Sequence, residues 1–440
     1  MAGIYRQRHP ERTVFYRVLF HYFDEFVAEY ENRFEREYGY FRPIIQEVVE
    51  KYLDCGNPKC GFAQIRCGDC GKEFLLHFSC HGRGFCPSCH AKRREEWGEW
   101  MREELILDTP HRQVVFTIPK MLRIFFKYKR SLLSDLCLCG KEALLKYFKA
   151  VAGRELTPGI IAVIQSFGSK INLHPHLHFL ISEGCSDRQE RFHSVSRFND
   201  DLLQEIFTRE VLSLLLRKQL INLTLIQKIL RWRHTGFHVH SKVRARSKKE
   251  AEQVGKYMIR PILSLKRLSF DKAEGKVCYQ YGKDRSELER MDNLEFIARV
   301  TSHIPDKGQV MIRYYGLYAN AHRGKKKKAG VDPSCPPIIE DEASFIPSRG
   351  WANMIRKVYE VDPLLCPRCG GQMSIIAFIE EHKVIDKIIN HLKLTFHAER
   401  PPPPQVVQQE LMMAAEEGAT LRAEELQTMI NEYNQIRESR

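Results

Sequence analysis

Seven cysteines fall between Cys55 and Cys89, and no other feature constrains the fold of this chain as strongly. Four of them form two Cys-x-x-Cys knuckles, Cys67-Gly-Asp-Cys70 and Cys86-Pro-Ser-Cys89, with 15 residues between them. Thiolates at i and i+3 of a tight turn face one ion, and two such turns complete the closed tetrahedron of structural zinc. Cys67, Cys70, Cys86 and Cys89 are therefore expected to hold one zinc. Cys55, Cys60 and Cys80 are left over. Cys55 and Cys80, with His77, His81 or His90, are candidates for a second ion, and the spacing leaves open whether one or two are bound. A closed four-ligand site has no position for a substrate, so its role is structural. Lys92, Arg93 and Arg94 follow directly, as suits a phosphate-contacting finger. Cys366-Pro-Arg-Cys369 is half a site, with Cys335, His382, His391 or a second chain as candidate partners. Cys137 and Cys139 lie in a helical context, where a spacing of two points side chains apart, and read as packing.

The 14 cysteines suit metal ligation in a reducing compartment better than disulfides. Met1 to Arg12 is polar and charged, unlike a secretory signal, and no run of about 18 apolar residues suggests a membrane span. The expected location is cytoplasmic, in association with the nucleoid. Lys and Arg outnumber Asp and Glu by 69 to 55, a net charge of +14 that favours a polyanionic partner.

Phe15, Leu19, Tyr22, Phe26, Tyr30 and Phe34 recur at helical spacing, which predicts a helix over about Thr13–Lys51. A charged helix is expected over Ala91–Leu107. An α+β region follows: strands near Arg112–Ile118, Gly159–Phe167, His176–Ile181, Phe237–Val243 and Val277–Tyr281, and helices over Lys120–Ala152 (interrupted near Cys139-Gly140), Asp200–Leu230 and Lys248–Arg260. Pro261 ends the last of these.

The sharpest chemistry lies in Leu173-His174-Pro175-His176-Leu177-His178. On a strand, residues i and i+2 share a face about 6.6 Å apart, so His176 and His178 can reach one cation while Leu177 points to the core. His174 has the same parity but lies about 13 Å from His178 along a strand. Pro175 should break the ladder, which leaves His174 in a loop or supporting role.

These residues resemble the histidine motif of insertion-sequence-91 family transposases, members of the HUH (histidine–hydrophobic–histidine) endonucleases. The similarity continues in Cys67 through Cys89, Trp232-Arg-His-Thr-Gly-Phe237, Lys256-Tyr257-Met-Ile-Arg260-Pro261, His303-Ile-Pro305, Arg313-Tyr-Tyr-Gly316 and Asp362-Pro-Leu-Leu-Cys366-Pro-Arg-Cys369. These motifs run in order over roughly residues 50 to 395. The resemblance implies an α+β fold: an N-terminal zinc-binding domain, then an HUH nuclease core with a central antiparallel sheet flanked by helices. It implies that Tyr257 attacks a scissile phosphate of single-stranded DNA and keeps a 5′-phosphotyrosine. A divalent cation, magnesium or manganese, would sit on His176 and His178. Gln165, on the neighbouring strand, is the candidate third ligand. Many members carry a second tyrosine four residues before the nucleophile; here that position is Gln253, which places the chain with single-tyrosine relatives. Lys256, Arg260 and Arg313 are read as DNA contacts, as are Lys242, Arg244, Arg246, Lys248 and Lys249. Tyr314 or Tyr315 would be a base-stacking platform.

The resulting expectation is a helical segment (1–54), a zinc-binding domain (55–107), an HUH nuclease core (108–324), a linker with the C-terminal cysteine unit (325–400) and a tail (401–440). The expected function is transposition. A plasmid replication initiator or relaxase would use the same chemistry, and a non-catalytic zinc-binding DNA regulator would form no covalent adduct. The oligomeric state is left open.

Overall fold

The computed structural model describes residues 3–4, 9–80, 82, 84–187, 191–195, 197–232, 234–282, 284–328, 361–362 and 364–392. His81, Cys335 and the tail after 400 lie outside them. A two-residue strand β1 (Gly3–Ile4) precedes helices α1 (Val14–Arg33), α2 (Glu35–Tyr38) and α3 (Pro43–Leu53). The single helix expected over Thr13–Lys51 is thus broken. Gly39 adopts φ 84°, which only glycine enters cheaply, and Pro43 then starts α3 at its first turn. The apolar stripe of α1 is a core face: Phe15, Leu19, Phe26 and Tyr30 are buried.

A hairpin of β2 (Phe62–Cys67) and β3 (Glu73–His77) comes next, then α4 (Pro87–Trp100), which runs into one π-helical turn at Met101–Leu105. The core region holds β4 (His111–Thr117), α5 (Arg123–Tyr128), α6 (Leu132–Ala152), β5 (Thr157–Phe167), β6 (Leu173–Ser186), β7 (Phe192–Ser194), α7 (Asp200–Arg217), α8 (Leu223–Arg231), β8 (His238–Ala245) and α9 (Lys248–Met258). After these come β9 (Leu268–Asp271), β10 (Lys276–Tyr281), β11 (Glu287–Met291), α10 (Asn293–Ser302), β12 (Ile312–Gly316) and α11 (Asn320–Lys328). The described chain ends with β13 (Val361–Asp362), which pairs with β1, then β14 (Met373–Ile379) and α12 (His382–His391).

The central sheet has the order β12-β5-β6-β4-β8, with β7 on β6, and every pairing in it is antiparallel. Strand parity divides its two faces. Val114, Phe116, Ala162, Ile164, Leu177 and Phe179 pack against α6 and α7. Ile161, Val163, Leu180 and Ala245 face α4, the π-turn and α9. The chain is thus an N-terminal zinc-binding domain followed by an antiparallel sheet flanked by helices, an α+β fold.

Three local expectations change. The helix expected over Asp200–Leu230 breaks at 218–222 into α7 and α8. The α6 region breaks at Lys129–Ser131, and Cys139-Gly140 lies inside an unbroken helix. The glycine is there for packing: a Cβ on Gly140 would fall 2.8 Å from Phe179 Cζ. Pro175 does not break β6. The pairing with β5 shifts register between Gln165 and Phe167, and that irregularity absorbs the missing N–H. Among the described residues, no helix is long and apolar enough to cross a membrane.

Candidate active site and thiol clusters

Cross-strand pairing sets the polar floor of the sheet's second face. Gln165 pairs with His176, His176 with Thr117, and His178 with Val115, so the two imidazoles and the Gln165 amide share one side. The rings of His176 and His178 lie 4.8 Å apart between centroids. The His174 ring is 5.0 Å from that of His176, closer than strand spacing implied, because the register shift lets it lean back. His176 Nδ1 bonds the His174 carbonyl at 2.7 Å, which puts the proton on Nδ1 and leaves Nε2 as a lone-pair donor. His178 Nδ1 lies 3.0 Å from the Gln113 side-chain amide. The facing atom is Gln113 Nε2, which donates to Nδ1 as placed; the amide turned by 180° would instead accept from Nδ1–H and leave His178 Nε2 as a lone-pair donor.

Two atoms here are buried without a hydrogen-bond partner among the described residues: His178 Nε2 and Gln165 Oε1. The other end of the Gln165 amide donates to the Met258 carbonyl, so the oxygen is the end left over. Burial lowers the pKa of His176 to about 4, with the Arg260 and Arg123 guanidinium charges adding to the effect. His178 falls to about 3, from burial first and then the His176 and Arg260 charges. Both rings are neutral at pH 7 and available as ligands. Neutral imidazole and amide oxygen, buried and unsatisfied, fit a divalent cation.

Tyr257 stands over this floor. Its helix is capped by Ser247, whose side chain accepts the Glu250 N–H, while Glu250 accepts the Arg246 N–H. Ala251, Gly255 and Met258 are buried on the inner face of α9, and Tyr257 is 52% exposed at its edge. The Tyr257 ring is perpendicular to that of His178, 6.1 Å between centroids. Arg260 lies 5.4 Å from the Tyr257 ring and 5.6 Å from that of Phe167, with its Nε buried and unpartnered. A tyrosine hydroxyl, two imidazoles, an amide oxygen and a guanidinium therefore converge on one rim.

The helix that follows the second knuckle braces α9. His90 Nε2 bonds the Ile259 carbonyl at 2.5 Å. Lys256 reaches Glu95 at 2.5 Å and Glu252 at 2.6 Å, and Arg102 meets Glu252 at 3.0 Å. Close approach depends on glycines: a Cβ on Gly255 would fall 2.8 Å from Met101 Cε. Several residues read as DNA contacts have partners within the protein. Lys256 is committed to two carboxylates, and Arg244 together with Arg112 neutralises the buried Glu183. Arg313 bonds the Ser134 hydroxyl at 2.7 Å. Tyr315 packs against the sheet core with its hydroxyl 3.6 Å from Cys137, and Tyr314 accepts the Trp97 indole N–H at 2.8 Å. Neither ring is an open stacking platform, because both are half-buried in packing that β12 needs. Lys242, Arg246 and Lys249 are exposed, Lys248 partly so, and Lys92, Arg93 and Arg94 are partly buried along α4.

The knuckles do not pair as the spacing suggested. Cys86 and Cys89 join Cys55 and Cys80, with all four sulfurs within 4.8 Å of one another. Cys55 lies 3.8 Å from Cys86 and 3.7 Å from Cys89, and Cys80 3.7 Å from Cys89. Three of these cysteines belong to the core shared with α1, α3 and α10. Cys67 and Cys70 form the turn of the β2–β3 hairpin, which carries them away from α4. They meet Cys366 and Cys369 instead. His77 bonds the Gly56 carbonyl and His90 the Ile259 carbonyl, so neither belongs to a quartet. His382 and His391 are likewise not part of the Cys366 cluster. Cys137 and Cys139 are buried in the core, as their spacing implied. Gln113 and Arg123 carry no motif in the sequence, and His90, read there as a candidate ligand, instead braces Ile259. Gln113 alone had a parity signal in the sequence, since on β4 it has the same parity as the residues facing His178.

A family described as transposase zinc-binding domain matches residues 22–118, and one described as putative transposase matches residues 159–327. The transposase for insertion sequence element IS801 of Pseudomonas savastanoi pv. phaseolicola is 29% identical over 366 residues, 78% of this chain and 86% of that protein. The putative transposase y4qJ of Sinorhizobium fredii (strain NBRC 101917 / NGR234) is 27% identical over 361 residues, 71% of this chain and 84% of that protein. No solved structure matches the chain. Both family matches fall in the expected order, the zinc-binding region before the region that carries His176, His178 and Tyr257, and with the relatives they show that this chain is a transposase of the insertion-sequence-91 family.

Proposed function

We propose that this transposase nicks and rejoins single-stranded DNA at element ends through Tyr257. The observation that carries this reading is the pair of buried, unsatisfied atoms, His178 Nε2 and Gln165 Oε1, beneath a half-exposed tyrosine. His176, His178 and Gln165 would hold magnesium or manganese, which supplies charge neutralisation and polarisation at the scissile phosphate. The Tyr257 oxygen attacks phosphorus, the P–O3′ bond breaks, and the proton released by the phenol balances the one taken up by the leaving 3′-oxygen. The product is a 5′-phosphotyrosine and a free 3′-OH. That covalent bond conserves the phosphodiester energy, so the reverse step joins a new 3′-OH without ATP. Arg260 faces the same rim and stabilises the negative charge that builds up on the phosphoryl oxygens. The Cys55, Cys80, Cys86 and Cys89 zinc is structural, since four thiolates leave no open position. The chain works on DNA in the cytoplasm, in association with the nucleoid.

The test is incubation of the protein with 3′-labelled single-stranded element ends and magnesium, followed by a denaturing gel. Wild type gives a labelled covalent adduct, and Tyr257→Phe gives none while still binding the same DNA. An adduct that persists in Tyr257→Phe moves the nucleophile elsewhere. No adduct in the wild type leaves a DNA-binding role without this chemistry.

A further inference from the structure

We propose that Cys67, Cys70, Cys366 and Cys369 form one composite zinc site that clasps the C-terminal unit onto the N-terminal hairpin. The matched family regions cover residues 22–118 and 159–327, so neither reaches Cys366 or Cys369. Cys67 lies 3.6 Å from Cys369 and Cys70 3.5 Å from Cys366, with all four sulfurs within 4.8 Å of one another. A tetrahedron with Zn–S bonds of about 2.3 Å has edges of about 3.8 Å, close to these separations. A disulfide needs about 2.05 Å and does not describe them.

The backbone supports the assignment independently of the sulfur positions, because the two knuckles are built alike. The Gly71 N–H bonds the Cys67 carbonyl at 3.2 Å, and the Gly370 N–H bonds the Cys366 carbonyl at 2.9 Å. The Cys67 N–H reaches the Lys72 carbonyl at 2.9 Å, and the Cys366 N–H reaches the Gly371 carbonyl at 2.8 Å. In both, the residue after the second cysteine is a left-handed glycine, Gly71 at φ 68° and Gly370 at φ 75°. The Arg368 N–H points at Cys366 Sγ at 3.4 Å, a contact that stabilises a thiolate. Gly371 passes so close to Asp69 that a Cβ there would overlap its carboxylate, so the two turns are fitted to each other.

The sheet explains why a clasp is needed. β14 pairs antiparallel with β2 from Met373–Cys67 to Ile379–Phe62. Among the described residues the buried apolar side chains that join the units are few: Ala63, Ile65, Cys67, Leu76, Phe78, Cys366 and Met373 in one cluster, and Phe62, Ile385 and Ile389 in another, each with three partly buried neighbours. A core of this size does not hold a small unit by itself, whereas structural zinc contributes folding energy outright. Cys369 is exposed, while Cys55, Cys80 and Cys86 of the other quartet are buried. The clasp is therefore the ion that a chelator reaches first.

Zinc counting by native mass spectrometry on the full reduced chain tests this. Wild type should carry two zinc ions. The doubles Cys67→Ser/Cys70→Ser and Cys366→Ser/Cys369→Ser should each carry one, and the quadruple variant should also carry one. That non-additivity is the signature of a shared ion. Two ions retained in the Cys366/Cys369 double, or none left in the quadruple, overturns the composite site, and iron in place of zinc overturns the metal assignment. Hydrogen exchange of the wild type under mild chelation guards against variants that misfold. Release of the first zinc should deprotect Met373–Ile379 and Phe62–Cys67 while α1 and α3 stay protected. Unchanged protection of β14 after one ion is lost defeats the clasp.

Discussion

His90 donates to the carbonyl of Ile259, and each residue sits beside a functional one: His90 follows the zinc-cluster cysteine Cys89, and Ile259 lies between Tyr257 and Arg260. The Cys55 quartet is thus tied by one hydrogen bond to the end of α9, which carries the proposed nucleophile. The His90→Ala variant should keep its zinc, because the imidazole is not a ligand, but should form the Tyr257 adduct more slowly. Misplacing a nucleophile by about 1 Å costs on the order of 100-fold in rate. Single-turnover adduct kinetics beside a zinc assay separate the effects. A wild-type rate at full zinc content would show that α9 is held by its ion pairs and packing alone.

The glycine of Arg313-Tyr-Tyr-Gly316 has a packing reason. Gly316 adopts φ 59°, and a Cβ there would overlap the Pro158 carbonyl, a backbone atom that cannot rotate aside. Gly316→Ala should destabilise the protein by more than about 2 kcal/mol, through strain plus the clash with β5. Gly275→Ala has similar backbone geometry at φ 65° with nothing within 4 Å, and should cost about 1 kcal/mol. Chemical unfolding of the two variants checks the ranking, and equal losses would remove the steric explanation.

His303 gives the fold an acid dependence. It is fully enclosed, with Nδ1 accepting from the Ser166 hydroxyl at 3.1 Å and Nε2–H donating to the Ile171 carbonyl at 2.9 Å. Burial lowers its pKa to about 3, against about 6.5 for a free imidazole. Between those values the unfolded chain takes up a proton that the folded chain refuses. The contribution is therefore complete above about pH 6.5 and is lost as pH falls toward 3. The stability advantage of wild type over His303→Phe should shrink by about 2 kcal/mol between pH 7.5 and 5. Parallel stability profiles would place the acid sensitivity at other buried histidines.

Local signals in the sequence located most of the elements and the histidine–tyrosine pairing, because strand parity and helix capping act over a few residues. Parity alone placed His176 and His178 on one face with Leu177 opposite, and Pro261 closed α9 where expected. The long-range choices were not legible. Which knuckle meets which depends on the β2–β3 hairpin turning away from α4, and the partner of Cys70 is 296 positions distant. Charge was equally ambiguous: Lys256 and Arg244 read as DNA contacts, and the carboxylates that packing brings to them, Glu95, Glu252 and Glu183, carry no local signal. Pro175 misled because a proline is incompatible with a regular ladder but not with a register shift.

His176, His178 and Gln165 form the proposed metal floor beneath Tyr257. Replacing His176 or His178 with Ala should abolish cleavage and spare the fold, since Leu177 and Phe179 still anchor β6 from the other side. EDTA should reproduce that loss, magnesium or manganese should restore activity, and the buried Cys55 zinc should survive the treatment longer. Gln165→Ala removes one unsatisfied oxygen and leaves both imidazoles, so it should raise the metal concentration needed for half-maximal cleavage without abolishing activity. Gln113→Leu makes a different point. It removes the partner of His178 Nδ1 but no ligand, and with it the amide that, turned to present its oxygen, would hold the proton on Nδ1 and keep Nε2 free for a metal. Loss of such a supporting hydrogen bond weakens metal affinity by about 10- to 100-fold. Metal titrations of cleavage for the Gln165 and Gln113 variants should both shift to higher concentration, with the maximal rate for Gln113→Leu recovered at saturating metal. A Gln113→Leu variant with wild-type metal dependence would show that His178 is oriented by packing alone. A His176→Ala or His178→Ala variant that cleaves at the wild-type rate in limiting metal would remove the histidine pair from the chemistry.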